Sequence, residues 1–134
     1  MKIKLLSIIS ILLVLSVSCA QTTETTEKST IELLSPEEMN TLLSLENVQL
    51  IDVRTPKEFQ GGHIKGAINI DYRDANFLEM LAKVDKSKPV AVYCKKGGRS
   101  GACSNIMQKE GFQKIYDLDG GITSWIYEGK PVSK

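Results

Sequence analysis

The chain has 134 residues, enough for one domain and little more, and a formal net charge of +1. Near-neutral charge gives no reason to expect nucleic acid as a partner, and no stretch is basic and amphipathic enough to bind a membrane directly. The single histidine, His63, lacks companions at metal-ligand spacing, which argues against a metal site.

The first residues read as a targeting segment. Lys2 and Lys4 precede an apolar run, Leu5 to Val17, broken only by Ser7, Ser10 and Ser16. The run is too short for a stable membrane span and fits a secretory signal over residues 1–18. Leu15-Ser16-Val17-Ser18-Cys19 looks like the cleavage and lipidation site of a bacterial lipoprotein, with Cys19 as the acylated first residue. Ordinary cleavage after Ala20 is the alternative. The first reading places the protein in the cell envelope, periplasmic and held to a membrane by a lipid anchor on Cys19. The second makes it soluble and periplasmic. Loss of residues 1–18 removes two lysines and no acid, leaving 15 basic against 16 acidic side chains. Residues 19–30 form a polar, threonine-rich tract that cannot bury apolar surface and is expected to be a disordered tether. Residues 31–134 are the expected domain.

Within it, Thr30 to Leu34 reads as a short strand. Ser35-Pro36-Glu37-Glu38 is a capping box with proline at the first helical position, and Met39, Leu42 and Leu43 follow at helical spacing. Val48 to Val53 is a near-continuous apolar run, as in a strand covered on both faces. Thr55 caps a short helix that Gly61-Gly62 ends. Ala67 to Ile70 is the next strand. Phe77, Met80, Leu81 and Val84 mark one face of a helix expected to begin near Asp74. The strand at Val90 leads into a glycine-rich loop, and a helix from Arg99 or Ser100 runs to about Glu110, with Gly111 as its stop. Lys114 to Leu118 is the last strand and Ile122 to Tyr127 a final short helix. Alternating strands and helices predict an α/β fold: one mainly parallel central sheet of about five strands, with helices on both faces.

The loop carries the chemistry. Cys94 ends a buried strand and stands ahead of a helix N-terminus, where open α/β sheets keep their ligand crevice. Unpaired amides and the helix dipole there favour a thiolate, which is the nucleophile. Gly97 and Gly98 allow a tight turn with several amides pointing inward, an anion nest. Lys95, Lys96 and Arg99 add positive charge at the mouth, and Ser100 follows. A plain core cysteine is the other reading of Cys94, though such a residue needs no glycines and cations beside it. The lysines read equally well as a solvated loop. Cys103 lies with Ile106 and Met107 on an expected core face and is read as structural, not bridged to Cys94. Asp52 sits at a strand end. Arg54 and Glu58 are expected to pair and order the first loop. His63 is expected to bond backbone in its turn, and Tyr93, Trp125 and Tyr127 to be core or rim aromatics.

Three groups of residues together resemble the rhodanese-like (sulfurtransferase) family. Cys94-Lys95-Lys96-Gly97-Gly98-Arg99-Ser100 resembles its active-site loop. Ile51-Asp52-Val53-Arg54 with Glu58-Phe59 and Gly62 to Ala67 resembles its amino-terminal signature. Asp119-Gly120-Gly121-Ile122, with Trp125 and Gly129-Lys130-Pro131, resembles its carboxyl-terminal one. The resemblance implies a single rhodanese-like domain in which Cys94 carries sulfane sulfur as a persulfide. Lys95, Lys96, Gly97, Gly98, Arg99 and Ser100 would bind the substrate. It implies a small anionic donor such as thiosulfate, a thiol or cyanide acceptor, no cofactor, and a monomer. A non-catalytic persulfide carrier or partner-binding module is the alternative. Relatives that act as phosphatases or arsenate reductases have a Cys-x5-Arg loop. Here only four residues separate Cys94 from Arg99, a tighter fit to sulfur than to a phosphoryl group.

Overall fold

The computed structural model describes residues 28–134 apart from residue 46. The expected signal segment, Cys19 and the first part of the expected tether lie outside the described residues. The end of the expected tether is part of the fold. The Ser29 hydroxyl donates to the Phe112 carbonyl, and Thr30 N–H donates to Gln113 O at 2.9 Å.

Five strands form one all-parallel sheet: β1 (Thr30–Leu34), β2 (Gln49–Asp52), β3 (Ile68–Asn69), β4 (Val90–Tyr93) and β5 (Lys114–Leu118). Their spatial order is β1-β5-β4-β2-β3. Five helices connect them: α1 (Pro36–Leu43), α2 (Pro56–Gln60), α3 (Phe77–Leu81), α4 (Gly98–Lys109) and α5 (Gly121–Tyr127). Strand alternation divides the core in two. Ile51, Val90, Val92 and Ile115 face Phe77, Leu81, Cys103 and Met107 on one side of the sheet. Leu50, Ala91, Tyr93 and Leu118 face Met39, Ile64, Ile122 and Trp125 on the other. Burying a large apolar side chain contributes roughly 1.5–3 kcal/mol over leaving it exposed, so both layers are needed.

Local chemistry explains the helix ends. Ser35 and Thr55 each form a complete capping box with Glu38 and Glu58, and each helix has proline in its first turn. Helix α4 ends in a Schellman motif. Gly111 takes φ 91°, its N–H reaches Gln108 O at 3.3 Å, and Phe112 N–H reaches Met107 O at 3.1 Å. Helix α3 is the main departure from expectation. It starts at Phe77, not Asp74, and spans only five residues. Asp71 and Asp74 accept the N–H groups of Arg73 and Asn76 on their side chains, holding that stretch in turns instead. Strand β3 is two residues long rather than Ala67 to Ile70. Tyr127 is neither core nor rim: it is 91% exposed, whereas Tyr93 and Trp125 are buried.

Candidate active site

The strand order places the site. From β2 the chain moves outward to β3 on one side, and from β4 to β5 on the other, so direction reverses between β2 and β4. Open parallel sheets form their crevice at the carboxyl ends of such a strand pair. Two loops meet there. One follows β2 and carries Arg54 to Glu58; the other follows β4 and carries Cys94 to Gly97.

Cys94 is 1% exposed, at the bottom of its loop. Its Sγ accepts the Gly97 amide at 3.0 Å. Gly97 adopts φ 109°, a left-handed value that lets the chain turn back over the sulfur before α4 begins at Gly98. Burial acts to raise the Cys94 pKa. Hydrogen bonds from the Ser100 amide and hydroxyl and from the Gly97 and Lys96 amides outweigh it, and the thiol sits below its ordinary value.

Helix α5 holds the loop in this shape. Ile122 N–H donates to Cys94 O at 2.9 Å, and Thr123 donates to Lys95 O from its amide at 3.1 Å and its hydroxyl at 2.8 Å. With the carbonyls drawn away, the following amides are free to face the sulfur. The approach is so close that a Cβ on Gly121, which has φ 60°, would lie 2.5 Å from Cys94 O. The Asp119-Gly120-Gly121-Ile122 segment thus acts as a backbone clamp on the nucleophile's own peptide.

The loop residues divide by role. The Lys95 and Lys96 side chains are exposed, and neither forms an ion pair among the described residues. Gly97 and Gly98 supply the turn. Arg99 is not free for a substrate: its Nη1 and Nη2 donate to Glu58 Oε2 and Oε1 at 2.8 and 2.9 Å. The expected Arg54–Glu58 pair does not form. Arg54 instead clasps Asp52 through Nη2 at 2.6 Å and Nε at 3.0 Å, and also donates to Gly62 O. Asp52 and Arg54 are two residues apart in extended chain and so project on the same side. Glu58, held at the first turn of α2 by Thr55, faces across to α4. The Arg99 guanidinium, with help from Thr55, overcomes its desolvation and holds the Glu58 carboxyl far below the usual carboxylate range. This pair ties the two loops together. His63 bonds backbone as expected, Nδ1 lying 3.1 Å from Phe59 O, and its ring stacks on Phe59.

Ser100 is fully buried, and its hydroxyl reaches Gly97 O at 3.2 Å. Cys94 Sγ and the Asp117 carboxyl also compete for that one proton. Asp117 was not anticipated. It lies on β5, 5% exposed, with Oδ1 unpartnered and Oδ2 3.7 Å from where a Gly101 Cβ would stand. Burial pushes its pKa up to about 6, despite the opposing Ser100 hydrogen bond. Its signal was available: Ile115 and Asp117 share a face, and Ile115 is core, so an acid two residues on also points inward. Cys103 is buried with its thiol pushed up to about 12, first by desolvation and then by the Asp117 and Cys94 charges. Cys94 and Cys103 are both free thiols.

Known proteins resemble this chain in sequence and fold. The thiosulfate sulfurtransferase GlpE of Shewanella oneidensis is 30% identical over 97 residues, covering 72% of this chain and 94% of that protein. A tRNA uridine(34) hydroxylase of Pelagibacter ubique is 34% identical over 69% of this chain, which spans only 31% of that longer protein. The solved polysulfide-sulfur transferase homodimer of Wolinella succinogenes superposes with a TM-score of 0.66 at 32% identity, covering 77% of this chain and 78% of that one. The model of the rhodanese-like domain matches residues 35–128, which run from the cap of α1 to the end of α5 and include both loops and the clamp. The chain belongs to the rhodanese-like domain family.

Proposed function

We propose that this protein is a sulfurtransferase that moves sulfane sulfur from an anionic donor such as thiosulfate to a thiol or cyanide acceptor. The observation that carries the reading is Cys94 Sγ itself, set at a strand end, bonded to the Gly97 amide and lowered in pKa by the loop donors. The Cys94 thiolate attacks the outer sulfur of thiosulfate. The sulfur–sulfur bond of the donor breaks, and its electron pair leaves with sulfite. A Cys94 persulfide remains. The acceptor thiolate or cyanide then attacks the terminal sulfur, and the pair of the broken bond returns to Cys94 as thiolate. The loop amides stabilise negative charge on sulfur at both steps without rearranging, which in such sites contributes on the order of a few kcal/mol per donor. Lys95 and Lys96 draw the anion to the mouth. The GlpE and Wolinella names support this chemistry as that of relatives.

The test is to incubate the protein with thiosulfate and measure its intact mass. Addition of one sulfur atom, lost in Cys94→Ser and kept in Cys103→Ser, is the expected result. No added sulfur on Cys94 overturns the reading. A persulfide that neither cyanide nor a small thiol discharges makes the protein a carrier instead.

We also propose that Cys19 is acylated and tethers the domain at a membrane of the cell envelope. Ten extended residues reach about 35 Å, enough to hold it just off the surface. Partitioning into detergent and the mass of the first residue test this.

A further inference from the structure

Asp117 has no part in the sulfur transfer drawn above, yet it is buried next to a group that does. On β5 it lies between Leu33 of β1 and Val92 of β4, both apolar, and its side chain points to the same face of the sheet as Ile115, toward α4. There it meets the first turn of α4, with Oδ2 3.7 Å from where a Gly101 Cβ would stand. The Ser100 hydroxyl and the Leu118 amide donate to the carboxyl, and Oδ1 has no partner. No cation pairs with it among the described residues. The titratable groups that face it are Asp119, just past its own strand, and Cys103 of α4. Those that face Cys94 are Cys103 and Arg99, the latter already held by Glu58.

One hydroxyl therefore serves two acids. The Ser100 hydrogen can go to Gly97 O at 3.2 Å, to Cys94 Sγ or to the Asp117 carboxyl, one at a time. A carboxylate outcompetes a thiol or a carbonyl for it, whereas a neutral carboxyl is itself a donor. We propose that Asp117 is a positioning residue for the nucleophile, acting through the Ser100 hydroxyl. Ionised, Asp117 draws the Ser100 hydrogen to itself and leaves the sulfur one donor short. Protonated, it donates to the Ser100 oxygen and turns the Ser100 hydrogen toward Cys94. Each ionisation thus makes the other harder. Burial outweighs the Ser100 bond and places the Asp117 titration at about 6, so the linkage sustains the Cys94 thiolate in mild acid. The inference rests on Cys94 as the nucleophile of the reading above.

The test follows the rate of Cys94 alkylation by iodoacetamide against pH, which reads the thiolate without any turnover. In Asp117→Asn the midpoint of the profile should move to lower pH. On the rising limb the rate should exceed that of the wild type by about tenfold, the scale of one hydrogen bond to a charged group. In a Ser100→Ala background, with no hydroxyl to share, Asp117→Asn should leave the midpoint nearly in place. A second measurement uses the unmutated protein. The Asp117 carboxyl carbon resonance, followed against pH, should show one step at about 6 and another where Cys94 ionises. An unmoved midpoint in Asp117→Asn, an equal shift with and without the Ser100 hydroxyl, or a single step in the carboxyl resonance overturns the proposal. A shifted midpoint in a protein that takes up no sulfur from thiosulfate upholds the linkage and overturns the sulfurtransferase reading alone.

Discussion

Asp117→Asn should stabilise the protein at neutral pH and do little in acid. The Asp117 carboxyl is pushed by burial from 3.8 up to about 6, so the folded state holds its proton more tightly than the unfolded state does. Where the folded state binds more protons, stability falls as pH rises. Well below pH ~4 both states are protonated and nothing is lost; the loss grows between about 4 and 6, and well above pH ~6 both are ionised and it is complete. A shift of about two units corresponds to about 3 kcal/mol, at 1.36 kcal/mol per unit. Asparagine keeps the shape and removes the charge. Urea unfolding of both proteins at pH 4, 6 and 8 is the assay. The mutant should gain about 3 kcal/mol at pH 8 and only some tenths at pH 4, while the wild-type profile declines between those values. An equal difference at all three pH values, or a mutant weaker at pH 8, would show that the carboxylate is not held against its ionisation.

Other consequences follow from the clamp and the ion pairs. Gly121→Ala should cut persulfide formation by roughly a hundredfold or more, because its Cβ would displace the Cys94 and Lys95 peptides and a shift near 1 Å can cost that much; stopped-flow loading with thiosulfate reads it. At pH 7, iodoacetamide should alkylate Cys94 and spare Cys103, whose thiol is pushed up to about 12, until urea is added; peptide mass mapping decides. A double-mutant cycle on Glu58→Gln and Arg99→Gln should return a coupling of about 1 kcal/mol in unfolding, and no coupling would mean the pair does not hold the loops together. Inserting one glycine between Gly97 and Gly98 should lower thiosulfate turnover steeply, since the Ser100 amide and the start of α4 then move away from the sulfur; undiminished turnover would show the four-residue spacing to be unimportant.

What could be read from the sequence was local. Strands β1 and β5 were read to the residue, and both capping boxes were recognised, because each signal lies within a few consecutive positions. The thiol loop was legible for the same reason: strand, cysteine, glycines and helix are contiguous. Failures came where competing local bonds or distant partners decide. Asp71 and Asp74 replaced the first turn of a longer α3, which apolar spacing alone does not reveal. Glu58 has two cations to choose from, and only the fold puts Arg99, 41 positions away, in front of it. The grip of Ile122 and Thr123 on the Cys94 and Lys95 carbonyls is backbone chemistry, so side-chain identity hints at it only through Gly121.

Strand β1 touches the sheet only through β5, and the loop around Cys94 takes its shape from α5. Both partners come late in the chain. During synthesis, β1 therefore emerges before β5 can pair with it, and the Cys94 segment before α5 can hold its carbonyls. The reactive thiol is assembled only when the last strand and helix arrive. A partly made or truncated chain contains the cysteine without its oriented amides, and so lacks the acidity that makes it a nucleophile. Maturation of the carboxyl-terminal segment and onset of chemistry are thus the same event.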